Sequence, residues 1–225
     1  MSDFKTLDQL AADTPRGSIV LIRADLNVPL DEGGAVRDAT RLERLLPSLE
    51  KLSQHGFRIG ILSHFGRPKG QRVAAMSLAP VADALAELLG QTVAFADDCI
   101  GEVAANALAT LAEGGICVLE NTRFHAGEEA DEADFAKALA APAAAYVNDA
   151  FSAAHRAHGS THGITKYAPT YCGLAMQAEL DALDAALGAP QRPVVAVVGG
   201  AKISTKLDLL GNLSARVDTD RKSVV

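Results

Sequence analysis

Six short runs in this chain, residues 18–22, 57–62, 91–95, 115–119, 143–147 and 193–198, are rich in apolar side chains, and several are apolar on consecutive residues. A strand with one wet face alternates apolar and polar side chains. A run that is apolar on successive residues has both faces covered, which is the condition of a parallel sheet packed between helical layers. The stretches between the runs carry helical patterns, near 38–55, 78–89, 100–112, 131–141 and 174–187. Strand and helix in alternation predict an α/β sandwich of crossover units. Local signals agree. Asp131-Glu-Ala-Asp134 places acids in a first helical turn, where the macrodipole stabilises them, and Gly56 and Gly90 follow helices as C-terminal glycines do. Pro47 falls inside the 38–55 pattern, so a kink or a restart is expected there. The expected domain boundary is Tyr167-Ala-Pro-Thr-Tyr-Cys-Gly173, followed by one helix and then, after Gly188-Ala-Pro190, a fresh strand.

Composition bounds what such a sandwich does. With 225 residues, 48% hydrophobic and 22% charged, the chain has the balance of a globular protein and room for one large domain, or one domain and part of another. A net charge of −7 argues against a diffuse nucleic-acid or anionic-membrane surface, both of which need an excess of Lys and Arg. No basic, apolar leader opens the chain and no apolar run approaches a bilayer span, so a cytoplasmic location is expected. Cys99, Cys117 and Cys172 are isolated and odd in number. They read as small core residues in a reducing compartment rather than as a disulfide framework or a zinc site.

In open α/β sheets, ligands bind beyond the carboxyl ends of the strands, so the segment after each apolar run carries the functional information. The first run leads into Arg23-Ala-Asp-Leu-Asn-Val-Pro29 and the second into Ser63-His-Phe-Gly-Arg-Pro-Lys69. The fourth leads into Glu120-Asn-Thr-Arg-Phe-His125 and the fifth into Asn148-Asp-Ala-Phe-Ser-Ala-Ala-His-Arg-Ala-His158. Each places an Arg beside Asp, Asn or His. A lone loop Arg is ordinarily a solvated charge, but four on one sheet edge make a basic rim on an acidic protein. The planar guanidinium suits bidentate contacts, so a small anion carrying carboxylate and phosphate is the expected ligand. Arg41 joins this rim or pairs with a neighbouring acid on its own helix. His155, His158 and His162 have helical spacing, yet Gly159 interrupts it and no Cys or acid completes a zinc set. Val198-Gly-Gly-Ala-Lys-Ile-Ser-Thr-Lys206 reads as strand, glycine turn and helix start with two lysines, a phosphate-cradling design. It is neither a Walker A loop nor a dinucleotide fingerprint, which disfavours NAD binding and ordinary P-loop hydrolysis.

These segments, together with Leu119-Glu-Asn-Thr-Arg-Phe-His125 and Gly199-Gly-Ala-Lys-Ile-Ser-Thr-Lys206, resemble the motifs of the phosphoglycerate kinase family, in family order over about residues 5 to 219. Phe65 stands where the family more often has Leu. The resemblance implies a Rossmann-like parallel sheet sandwiched by helices, plus a fragment of a second α/β domain. It implies that Asp25, Asn27, Arg41, His64, Phe65, Gly66, Arg67, Arg123 and Arg156 line the site for 3-phosphoglycerate or 1,3-bisphosphoglycerate, with Arg23 bracing the loop. Arg41 resembles the arginine that meets the transferred phosphoryl group, Lys202 the catalytic lysine that follows it, and Lys206 a nucleotide-phosphate lysine. The implied reaction is reversible phosphoryl transfer to ADP, giving 3-phosphoglycerate and ATP in glycolysis, by a monomer that binds no nucleic acid. Mg is expected with ADP or ATP; its family ligand and the adenosine pocket belong to sequence that is absent here, so no metal ligand is expected among these residues.

The same resemblance divides the chain into an acid-substrate domain over 1–171, a hinge helix over 172–189 and the start of a nucleotide domain over 190–219. Asp220-Arg-Lys-Ser-Val-Val225 departs from the family where an apolar strand is expected, and is expected to be a non-native tail on a truncated frame. The chain alone is therefore expected to be inactive. The alternatives are a non-catalytic 3-phosphoglycerate-binding module and a nucleotide-binding scaffold.

Overall fold

The computed structural model describes residues 4–31, 33–188, 191–198, 211–212 and 219–222. They fall into two compact units, Met1–Gln177 and Ala178–Val225. In the first unit, β1 (Ile19–Arg23), β2 (Arg58–Leu62), β3 (Val93–Ala96), β4 (Ile116–Leu119), β5 (Ala145–Asn148) and β6 (Thr170–Cys172) form one sheet in the order β3-β4-β2-β1-β5-β6. Every pairing is parallel; Val20 lies opposite Ile59 on one side and Ala145 on the other. The expected α/β sandwich is the observed one.

Alternate residues of the strands feed two cores. Val20, Ile22, Ile59, Ile61, Val118 and Val147 face α1 (Leu7–Asp13), α2 (Thr40–Gln54) and α3 (Ala79–Leu89). Leu21, Cys117, Leu119 and Tyr146 face α4 (Gly101–Ala109) and α6 (Ala133–Ala140), through Leu108, Phe135 and Leu139. Full burial of each aliphatic side chain is worth about 1.5–3 kcal/mol, so the two cores supply the main stabilisation of the unit. Gly60 sets the spacing at the centre of the sheet. A Cβ there would lie 2.7 Å from Leu21 Cδ2 and 2.8 Å from Leu108 Cδ2, so the missing side chain lets α4 close on β2. The three cysteines are buried thiols, as expected of small core residues.

Several local expectations are corrected. Helix α2 runs continuously through Pro47 and does not restart. Pro47 and Glu43, whose carbonyl would have taken the missing N–H, are both exposed, so the lost bond falls on the solvent side of the helix. Asp131 is not in a first helical turn. It precedes the helix in the left-handed region (φ 52°), which Asp tolerates, and α6 begins two residues later. In the first unit, two α-helices and one strand were not expected: α1, α5 (Ala126–Glu129) and β6. The first carries a full capping box, with Thr6 Oγ1 accepting from Gln9 N and Gln9 Oε1 from Thr6 N.

Helix α7 (Leu174–Leu187) begins within the first unit, where Ser48 Oγ accepts from Leu174 N and Asp149 Oδ1 from Met176 N. In the second unit, β7 (Val195–Val198) pairs in parallel with β8 (Thr219–Lys222), Val195 opposite Thr219. The polar Asp220-Arg-Lys segment thus forms a strand, contrary to expectation, because the ladder is made by backbone groups that polar residues also carry. Among the described residues no helix is long and apolar enough to cross a membrane.

Candidate functional site

The four central strands, β4, β2, β1 and β5, are parallel, so their carboxyl ends share one edge, and all four Arg-bearing loops leave from it. Nearest the sheet is Arg23, the last residue of β1 and 1% exposed. Its Nε donates to Ser160 Oγ (2.9 Å), its Nη2 to His64 Nδ1 (2.8 Å), and its Nη1 to the Ala24 carbonyl. This is the bracing role expected of it.

The loop after β1 is a set of carboxylate and amide contacts. Asp25 takes Arg41 Nη1 on both oxygens (2.9 and 3.0 Å) and the Ser152 hydroxyl on Oδ2 (2.6 Å). Arg41 Nη1 also donates to the Asn27 carbonyl (3.0 Å), so Arg41 is joined to the rim loop and does not form the same-helix pair that was its alternative. Asn27 Oδ1 accepts from Gly66 N (2.9 Å), which ties the β1 loop to the β2 loop.

The β2 loop is held from its other side. Asn121, at the end of β4, accepts from Phe65 N and Arg123 N on Oδ1 and donates through Nδ2 to the carbonyls of Phe65 and Met76. Phe65 packs against the first core. Gly66 turns the chain at φ 61°, a left-handed conformation, and its carbonyl receives Arg123 Nη1 at 2.8 Å. Arg123 is 3% exposed, with Nε 3.2 Å from Glu129 Oε1 but not aligned for a hydrogen bond.

Two guanidinium groups differ from these. Arg67 is exposed and Arg156 half-buried, and neither side chain has a hydrogen bond or ion pair among the described residues. Arg156 nevertheless belongs to the cluster. Burial, then Arg23, Arg123 and Arg156, push the His64 pKa down to about 3, with Asp25 opposing. His64 is thus a neutral ring in a positive field. Burial likewise lowers Arg123, countered first by Glu129. Positioned dipoles and cations of this kind attract an anion without a nucleophile or a base.

Asp25, Asn27, His64, Phe65, Gly66, Arg67, Arg123 and Arg156 therefore stand on the strand-end loops of one sheet edge, and Arg41 reaches them from the start of α2. Lys202 and Lys206 lie outside the described residues. Sequence reasoning assigned no role to Asn121, Ser152, Ser160 or Glu128; the first stood inside a quoted motif, while the acid had no local signal. The histidines at helical spacing are dispersed: His162 Nδ1 meets Asp131 (2.5 Å), and His158 Nδ1 lies 4.0 Å from Glu128. Asp98, Cys99 and His125 do converge; Asp98 Oδ1 accepts from Cys99 N and Ile100 N in the turn before α4 and meets His125 Nε2, so hydrogen bonds hold the three together.

Residues 10–220 match the family model described as phosphoglycerate kinase. A curated phosphoglycerate kinase from Granulibacter bethesdensis is 57% identical over 215 residues, covering 96% of this chain and 53% of the relative. Among solved structures, phosphoglycerate kinase from Coxiella burnetii superposes with TM-score 0.84 at 38% identity, over 98% of this chain and 54% of the other. The enzyme from Pyrococcus horikoshii OT3 gives TM-score 0.85 at 28% identity, over 97% of this chain and 55% of the other. The chain spans about half the length of the curated relatives it matches. A parallel sheet whose central strand ends carry this basic rim, in a sequence matched along nearly its whole length, belongs to the phosphoglycerate kinase family.

Proposed function

We propose that this chain is the acid-substrate half of a phosphoglycerate kinase, with a connecting helix and the beginning of a nucleotide lobe. The division is the one expected from sequence: substrate domain 1–171, hinge helix 172–189 and nucleotide-lobe start from 190. The observation that carries the reading is the pair of uncommitted guanidinium groups, Arg67 and Arg156, beside the buried Arg123, on the edge where the four central strands end. Cations left without partners among the described residues, on a protein of net charge −7, are available to an external anion. A phosphate and a carboxylate on a three-carbon skeleton each present a pair of oxygens that such a planar fork can bind in a bidentate manner.

In the whole enzyme the reaction is direct phosphoryl transfer between 1,3-bisphosphoglycerate and ADP. It needs positioning and charge neutralisation and no protein nucleophile, which suits a rim of Arg and neutral His. Asn27, His64, Arg67, Arg123 and Arg156 hold the acid, with Asp25 orienting Arg41. Arg41 lies at the start of α2, with one guanidinium nitrogen bound to Asp25 and Asn27; its remaining donors are assigned to the transferred group. Lys202 follows that group and Lys206 binds nucleotide phosphate. The described rim does not fit Mg: its carboxylate, Asp25, is taken up by Arg41 and Ser152. The metal accompanies ADP or ATP instead. The protein is a cytoplasmic monomer in this reading.

Isothermal titration tests it. The chain should bind 3-phosphoglycerate and hardly bind Mg-ADP, and a coupled assay should show no turnover. Binding of Mg-ADP without 3-phosphoglycerate would overturn the reading in favour of a nucleotide scaffold.

A further inference from the structure

Behind the rim lies a buried polar chain that reaches no ligand itself. Glu128, at 0% exposure, accepts from Ser160 N (2.8 Å) and from Ser160 Oγ (2.6 Å). Ser160 Oγ in turn accepts from Arg23 Nε, and Arg23 Nη2 meets His64 Nδ1. Tyr146 Oη donates to the Ser160 carbonyl (2.8 Å), which pins the serine from the β5 side. Ser160 is also 0% exposed.

Donor and acceptor chemistry fixes the direction of this chain. A carboxylate only accepts, so the Ser160 hydroxyl gives its proton to Glu128 and keeps a lone pair for Arg23. A guanidinium only donates, so His64 Nδ1 must accept, and the ring proton must reside on Nε2. His64 Nε2 has no protein partner among the described residues. A buried charge pair is poor at stabilising a fold, because desolvation offsets the attraction. Glu128 and Arg23, relayed through a hydroxyl, have a different use.

We infer that Glu128 and Ser160 are positioning residues which, through Arg23, hold His64 as a permanently neutral Nε2–H donor to the anion bound at the rim. Glu128 supplies the buried counter-charge that keeps Arg23 folded inward, and Ser160 sets its direction. Without them the guanidinium is free to turn to the rim or to water, and His64 loses the group that dictates its tautomer. The inference rests on the acid-substrate reading for what the donor binds, and its test is independent of that ligand.

Nitrogen–proton correlation spectra of the histidine rings of the full chain read tautomer and titration directly. In the unmodified chain His64 should be Nε2–H and should not titrate between about pH 5 and 8, where an ordinary imidazole does. In Ser160→Ala and Glu128→Gln the ring should become a tautomer mixture, and 3-phosphoglycerate affinity should fall about tenfold or more. Ser160→Thr, which keeps the hydroxyl, should restore the ring signature; should Glu128→Gln fail to fold, the two serine variants carry the test. A Nδ1–H tautomer in the unmodified chain, or a folded Ser160→Ala with an unchanged tautomer, overturns the inference. If His64 behaves as stated while 3-phosphoglycerate does not bind, the relay stands and the functional reading fails.

Discussion

Replacing Gly66 by alanine perturbs the joint between the β1, β2 and β4 loops. The residue sits at φ 61°, donates to Asn27 and receives Arg123, so its conformation sets the placement of two rim side chains. Left-handed backbone costs a residue with a Cβ about 1–2 kcal/mol. The new Cβ would also lie 2.9 Å from Met76 Sδ, but a thioether near the end of a flexible side chain can move aside, so strain in the backbone dominates. For a protein of this size the cost corresponds to a fall in Tm of about 2–8 °C. If the loop relaxes to escape the strain, Arg123 loses its carbonyl and 3-phosphoglycerate affinity falls with stability. Scanning calorimetry and isothermal titration on Gly66→Ala and Gly66→Asn separate the causes. Both add the same Cβ, whereas Asn tolerates the left-handed region better, so Asn should lose less. Equal losses, or recovery of Gly66→Ala by a second substitution Met76→Ala, would place the cost in the side-chain contact and refute the backbone argument.

Arg156→Ala should weaken 3-phosphoglycerate binding roughly ten- to hundredfold, the worth of a charge-assisted hydrogen bond, while leaving stability within about 0.5 kcal/mol, as measured by titration and urea unfolding. Arg123→Ala should lose both binding and stability, since Arg123 is buried and serves Gly66. Because His64 has a folded-state pKa of about 3, far below the unfolded value, protons bind preferentially to the unfolded chain between about pH 6.5 and 3. Stability should therefore decline as pH falls through that window, and His64→Gln should flatten the decline in urea titrations at stepped pH. The folded chain should resist thiol reagents, because Cys99, Cys117 and Cys172 are buried and burial pushes the Cys117 thiol up to about 11; all three should react on denaturation.

The central sheet was legible because its strands are apolar on successive residues, a pattern that burial on both faces imposes. The rim was legible for the same reason, since knowing where each strand ends identifies the loop that carries chemistry. Less was visible where tertiary context decides. Glu128 stands beside Glu129 and reads as a solvated charge, yet it is among the most buried side chains, because the loop carrying Ser160 folds over it. Helix α1 was announced by Thr6 and Gln9 at capping-box spacing, a signal present in the sequence and not used. The strand at 219–222 has no apolar pattern to read; its place comes from backbone pairing with β7.

The strand order also governs when the rim comes into being. β1 is bordered by β2 and by β5, and its second neighbour is supplied only when the chain reaches Ala145, far beyond Val20 with which it pairs. Contacts of such sequence separation form slowly, and until they form a central strand presents a bare edge. On a ribosome, β1 through β4 emerge and pair while the edge of β1 stays open and Arg156 has not yet been synthesised. The rim is therefore expected to stay incomplete until β5 has paired with β1. An acid ligand added during synthesis or refolding should act only after β5 has docked, locking a finished sheet instead of templating one.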